Sequence, residues 1–312
     1  MNTMKSIIKI LFSAYLFLLT NLLFAQQDPQ YTQYMYNHAV INPAYVGTVD
    51  YLTIYGQYRS QWVGLEGAPK TSNFSLNSPL GSNGLSGGIN FVNDRIGAME
   101  ENTISLDFGY TIALDYQYNL AFGIKGQANF LNVDYTKLKA FKPEDPLLQS
   151  NINNKFRPNV GVGIMVYSDR AYIGISAPTL LSTYVYDDNE EITTVRKKTH
   201  LYLTGGYIFD VSDEVRVKPA VLIKGVQGSP LQVDLTANVL FFNRFTLGAA
   251  YRWDAAISGL VGFQINNNLM IGYSYDADTT SLRKTNSGSH EVFMRYQLFN
   301  NRAQKVTTTR FY

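Results

Sequence analysis

Cysteine is absent from the 312-residue chain. That excludes disulfides, zinc–cysteine sites, iron–sulfur clusters and thiol catalysis, and it removes the cysteine a lipoprotein anchor needs. Only three histidines are present, so a His-rich metal site is not expected. Charged residues make up 16%, against about 25% for an ordinary soluble domain. The net charge of +2 gives no electrostatic case for nucleic acid. Beyond residue 25 no apolar run reaches the length of a spanning helix, and no segment there shows a convincing helical period. What is plentiful is aromatic: 23 Tyr, 18 Phe and 2 Trp, 14% of the chain, beside 24 Gly. Such a chain is neither disordered nor a coiled coil.

Residues 1–25 read as a secretory signal peptide. Lys5 and Lys9 flank the start of an apolar stretch from Ile7 to Phe24, and a cut after Ala25 is expected, although Leu23 departs from the small-x-small rule. The following chain repeats with period two. Ile104, Leu106, Phe108, Tyr110, Ile112 and Leu114 alternate with Thr103, Ser105, Asp107, Gly109, Thr111 and Ala113. The same alternation runs through 118–130, 231–241 and 291–298. Each stretch reads as a strand with one apolar and one polar face. Strands are expected at 50–59, 71–79, 85–93, 102–114, 118–130, 156–167, 170–178, 199–209, 215–226, 231–241, 244–252, 256–266, 269–276 and 287–299.

That even number of strands has one-sided connections. Short turns fall at 81–84, 115–117, 168–169, 210–214, 242–243 and 267–268. The opposite end holds the long loops, 61–70, 94–101, 131–155, 179–198 and 277–286. Short turns at one rim and long loops at the other is the pattern of an outer-membrane barrel, with the short turns in the periplasm. A secreted β-sandwich also alternates, but closure alone removes both strand edges in lipid. The expected fold is therefore all-β, a transmembrane antiparallel barrel of about fourteen strands over 50–299. Its apolar faces would meet outer-membrane lipid, and its aromatics would form interfacial girdles. Both barrel ends fall on the short-turn side.

The polar faces carry Arg59, Asp107, Lys125, Arg216, Lys218, Lys224, Asp234, Glu291 and Arg295. These belong in the lumen, since each would be costly in hydrocarbon. They read either as ion pairs filling a narrow barrel or as a lining that selects a substrate. Residues 26–49 are rich in Tyr and Asn and too apolar for a free tail. They are expected to pack on the barrel as a plug or at the periplasmic mouth. Residues 300–312 form a polar, basic tail ending in Phe311-Tyr312.

Catalytic signatures are missing: there is no GxSxG, HExxH, Walker A or GxGxxG motif. His38, His200 and His290 are scattered, and Ser176 or Ser289 has no readable base partner. Asp276, Asp278 and Asn286 could meet a loop cation, though a solvated loop explains them as well. The reading is a non-enzyme without a cofactor or resident metal.

Two runs carry a resemblance. Gln27-Asp28-Pro29-Gln30-Tyr31-Thr32-Gln33-Tyr34-Met35 is followed by Ile41-Asn42-Pro43-Ala44-Tyr45-Val46-Gly47. Then come Tyr58-Arg59-Ser60-Gln61-Trp62-Val63-Gly64 and Gly67-Ala68-Pro69-Lys70-Thr71. Shorter matches follow in order at 93–97, 225–230, 251–252, 272–276 and 288–291. The chain resembles the PorP/SprF family of type IX secretion system membrane proteins over essentially everything after residue 25. One departure is Leu65-Glu66, where an aromatic residue is expected.

The resemblance implies an outer-membrane barrel of the type IX secretion and gliding apparatus. Its implied partners are secreted cargo with a C-terminal sorting domain, including motility adhesins, and other secretion or gliding components. Asp28, Pro29, Tyr31, Tyr34, Asn42, Pro43, Tyr45, Gln61, Trp62, Gly64, Pro69 and Lys70 are the candidate partner-binding residues. Trp62 could anchor a partner or pack the barrel rim as a girdle residue. The outer loops around Trp62, 131–155 and 179–198 would face cargo, and the N-terminal segment would face the periplasmic apparatus. A transporter for small hydrophobic or anionic solutes is the alternative, since fourteen strands with an N-terminal plug resembles the fatty-acid transporter class. A barrel lipase or acyltransferase using His200 or His290 is remote.

Overall fold

The computed structural model describes residues 29–137, 151–181, 183–184 and 196–298. The expected signal peptide, Asp28, the tail, and parts of the loops 131–155 and 179–198 lie outside those residues. The described chain forms one closed antiparallel barrel of fourteen strands. They are β1 Leu52–Ser60, β2 Lys70–Pro79, β3 Leu85–Ile96, β4 Met99–Ala113 and β5 Asn119–Val133. Then follow β6 Ile152–Tyr167, β7 Ala171–Ala177, β8 His200–Tyr207, β9 Val215–Val226 and β10 Gln232–Phe241. The last four are β11 Phe245–Arg252, β12 Ala256–Gln264, β13 Leu269–Asp278 and β14 Ser289–Leu298. Each strand pairs with its sequence neighbours, and β1 closes on β14 from Leu52↔Leu298 to Ser60↔His290.

The alternation decides which way each strand faces. Ile104, Leu106, Phe108 and Tyr110 are exposed on the outer wall, whereas Ser105 and Asp107 are buried inside. Leu201 and Leu203 point out beside the buried Tyr202 and Thr204. The outer wall is therefore an apolar belt suited to lipid, and the lumen is polar. No helix among the described residues is long and apolar enough to cross a membrane.

The expected loop at 94–101 is not a loop. β3 and β4 continue to Ile96 and Met99, joined by a tight turn in which Gly97 takes φ 57°. Apolar alternation stops here because the extension is polar on its outer side. Asn93 donates to Asn102 (2.8 Å) and Glu100 (2.7 Å), and Arg95 pairs with Glu100 (2.9 Å). β4 and β5 are 15 residues long and β6 is 16, against about 9–11 needed to cross a bilayer. β7 has only 7 residues. The long-loop rim is thus tall over β3–β6 and low at β7.

The lumen is filled by the chain's own N-terminal segment. It folds as three 3-10 turns, Tyr34–Tyr36, His38–Val40 and Pro43–Thr48. Pro43 opens the last turn, where a missing N–H costs nothing, and Asn42 caps it by accepting from the Ala44 N–H (2.9 Å). Thr32 and Gln33 lie beside Glu291 and Asp276, at the long-loop ends of β14 and β13. Gly47 lies beside Thr111 and Tyr167, at the short-turn ends of β4 and β6. At roughly 2 Å per residue, the twenty-odd residues before β1 suffice for a hydrocarbon core of about 30 Å. Although β1 begins and β14 ends on the short-turn side as expected, the segment crosses the lumen first. Pro29 therefore stands at the long-loop mouth, lining a recess there with Asp94 and Glu101, and not at the short-turn mouth.

Candidate functional site

The N-terminal plug and the rim above it bring together most of the singled-out residues. At the long-loop end the barrel's first and last strands supply a charged clamp. Arg59 on β1 and Glu291 on β14 are register partners, joined at 2.9 Å, and Arg59 also reaches Asp276 on β13 at 2.6 Å. Arg59 is 2% exposed and Glu291 0%. The Glu291 carboxylate accepts the backbone N–H groups of Thr32 (2.9 Å) and Gln33 (2.8 Å). The Thr32 hydroxyl donates to Asp276 (2.7 Å) and accepts from Arg59 (3.0 Å). A buried charge is tolerable only when paired and hydrogen-bonded. Here the plug backbone completes that pairing.

The plug's middle is held by aromatic packing. Tyr36 stacks on Phe293 with ring centroids 4.5 Å apart, and Tyr55 stacks on the same Phe293 at 5.5 Å. His38, fully buried, sits among Tyr34, Tyr45 and Tyr172 at 5.1–5.7 Å. Lys125 donates to the Ala39 carbonyl (2.7 Å) while paired with Asp107 (3.4 Å), which Asn90 also contacts.

The plug's lower end is held by shape. A Cβ on Gly123 would strike the backbone of Pro43 and Ala44, and one on Gly163 would strike the Asn42 side chain. These two strand positions thus stay bare so that Asn42–Ala44 can lie flat on the wall. The Ser176 hydroxyl donates to the Ile41 carbonyl (2.6 Å), and that of Thr111 to Gly47 (2.7 Å). The Asn42 amide donates to Ile164 (3.3 Å).

Tyr31, Tyr34, Asn42, Pro43 and Tyr45 are all buried within the barrel as parts of the plug. Pro29 is half-buried beside a recess of about 80 Å³ that Tyr31, Asp94, Glu101, Asn129 and Thr179 also line. Gln61, Trp62, Gly64 and Pro69 lie on the ordered β1–β2 loop, and Lys70 opens β2. Val63 donates to Gly288 (2.9 Å), Ser287 donates to Val63 (2.7 Å), and Gly97 donates to Gly67 (2.9 Å). The loop is thereby stitched to the β13–β14 loop on one side and the β3–β4 turn on the other. Trp62 is half-exposed at φ 45°, a left-handed conformation costing a non-glycine residue about 1–2 kcal/mol. Its N–H donates to Ser289 (3.2 Å).

The remaining lumen charges are mostly paired. Asp234 meets Arg252 at 3.0 Å, and Arg295 lies over the Tyr36 ring at 5.5 Å. Lys218 lies over Tyr172 at 5.6 Å, and Lys224 is buried between β8 and β10. Arg216 is different: it sits at the short-turn rim, half-buried, 3.4 Å from Asp210. Sequence reasoning missed Asp276, Arg252 and Arg157 as lumen charges, although their strand parity signals them: Asp276 shares that of the buried Ser274, and Arg252 that of the buried Thr246. Asp276 goes to Arg59 and Asp278 to Asn286 (2.8 Å), so the two do not converge on a cation site. No metal-holding group of His, Asp or Glu occurs among the described residues.

The family model described as type IX secretion system membrane protein PorP/SprF matches residues 23–296. No curated protein matches the sequence. Among solved structures, the CymD monoaromatic hydrocarbon channel is similar with TM-score 0.52 at 10% identity, covering 89% of this chain and 95% of that one. The TodX deltaS2S3 mutant channel has TM-score 0.49 at 8% identity, covering 84% and 94%. A Pseudomonas aeruginosa FadL homologue has TM-score 0.46 at 11% identity, covering 87% and 95%. At such identities the likeness to CymD speaks for the barrel fold alone.

Proposed function

Because the chain belongs to the PorP/SprF family of type IX secretion system membrane proteins, we propose that it is a non-enzymatic docking barrel of that apparatus. It holds secreted protein, cargo with a C-terminal sorting domain or an adhesin, at the cell surface through its long-loop face. The observation that carries this reading is the pairing of a filled lumen with an ordered rim. A plug fixed at both ends by buried hydrogen bonds suits a plugged barrel better than an open pore. A loop holding Trp62 in a strained, half-exposed conformation suits a pre-organised contact surface. The candidate contacts are Gln61, Trp62, Gly64 and Lys70, with other secretion components as further partners.

A pull-down of tagged protein from native membranes tests this. Recovery of a sorting-domain protein or a secretion component is expected, and a Trp62→Ala variant should recover less. Recovery of neither would sink the reading. Solute transport is the second reading, favoured by the recess at the long-loop mouth. It predicts a steady, solute-selective conductance in a planar bilayer.

A further inference from the structure

The direction in which the plug crosses the lumen has a topological consequence. Its upper end, Thr32–Gln33, is gripped by Arg59, Asp276 and Glu291 at the long-loop ends of their strands. Its lower end, Gly47, is gripped by Thr111 and Tyr167 at the short-turn ends. Between them Lys125 and Ser176 hold Ala39 and Ile41, in order down the wall. The polypeptide therefore runs downward from Pro29 and only then turns into β1. In an outer-membrane barrel the long loops face outward and the short turns face the periplasm.

We infer that the N-terminal end of the chain left by signal-peptide removal is presented at the cell surface, through its own barrel, and that it forms part of the partner-facing rim. Pro29 and Tyr31 line the same mouth as Asp94 and Glu101 of the tall β3–β4 wall. Gln30 donates to Gln232, at the long-loop end of β10 (3.1 Å). The Arg59 clamp lies directly below the β1–β2 loop, since the Arg59 Nε donates to Gln61 (3.2 Å). An N-terminal extension would thus leave the barrel at the long-loop mouth. Its role as a partner contact rests on the docking reading above, but its outward position does not.

The absence of cysteine makes the test clean. Gln27→Cys, Glu66→Cys in the exposed β1–β2 loop and Asn267→Cys in the exposed β12–β13 turn are each expressed in cells. All three are treated with a membrane-impermeant maleimide before and after permeabilisation. Gln27→Cys and Glu66→Cys should label on intact cells, and Asn267→Cys only after permeabilisation. Labelling of Gln27→Cys only after permeabilisation, with Glu66→Cys labelled outside, would overturn the inference. A photocrosslinking residue at 27 and at 66 then tests the contact. Capture of the same secreted protein from both sites supports it. Capture from 66 alone overturns the N-terminal contact and leaves the docking reading standing, whereas capture from neither overturns the docking reading itself.

Discussion

The two ends of the plug are held by opposite kinds of physics. At the long-loop mouth, Thr32 and Gln33 are fixed by full charges: the Glu291 carboxylate takes two backbone N–H groups while Arg59 neutralises it. At the short-turn mouth, Asn42–Gly47 lie where strand residues have given up their side chains, and the bonds are between neutral groups. The upper grip is strong but depends on every partner being present. The lower grip spreads over shape and loses less when any one group is removed. A segment held this way opens from the top when a charge is lost and from the bottom when a side chain is added.

The largest effect is expected at the clamp. Glu291→Ala strands Arg59 beside Asp276 alone and leaves the Thr32 and Gln33 N–H groups without acceptors. Breaking a buried pair from one side costs about 3–5 kcal/mol, to be read as a lowered unfolding midpoint in denaturant and as new protease sensitivity before residue 34. An unchanged midpoint would mean that the clamp does not hold the plug.

At the lower end, Gly123→Val drives a side chain into Ala44, an overpacking cost of about 1–3 kcal/mol. Gly126→Val on the same strand meets nothing within 4 Å and should be neutral, so the pair of melting curves isolates the contact. The smallest effect is expected from Asn42→Ala, which removes the cap on Ala44 at about 0.5–2 kcal/mol. Exchange rates confined to residues 43–48 should report it.

The barrel was legible because lipid enforces a strict period. Ile104 to Leu114 could only be one face of a strand, and the fourteen expected strands lie where the structure has them to within a few residues. The hairpin at Gly97 escaped because Asn93, Arg95 and Glu100 stand beyond the apolar belt, where polar residues occupy the outer face and the alternation vanishes. The plug was foreseeable from its composition, but its direction was not. Polarity alone does not say that Thr32 meets Glu291, which lies far along the chain. The same holds for Asp276, which looked like a loop acid and is half of a clamp. Gly123 and Gly163 read as ordinary strand glycines because the segment that needs them bare comes from elsewhere in sequence.

The central feature of the molecule is a lumen filled by its own N-terminal segment. Conductance of the purified wild-type barrel in a planar bilayer tests this most directly, alongside a variant lacking residues 29–49. The wild type should be electrically silent and the deletion should conduct steadily. A steady, solute-selective current through the wild type would contradict it.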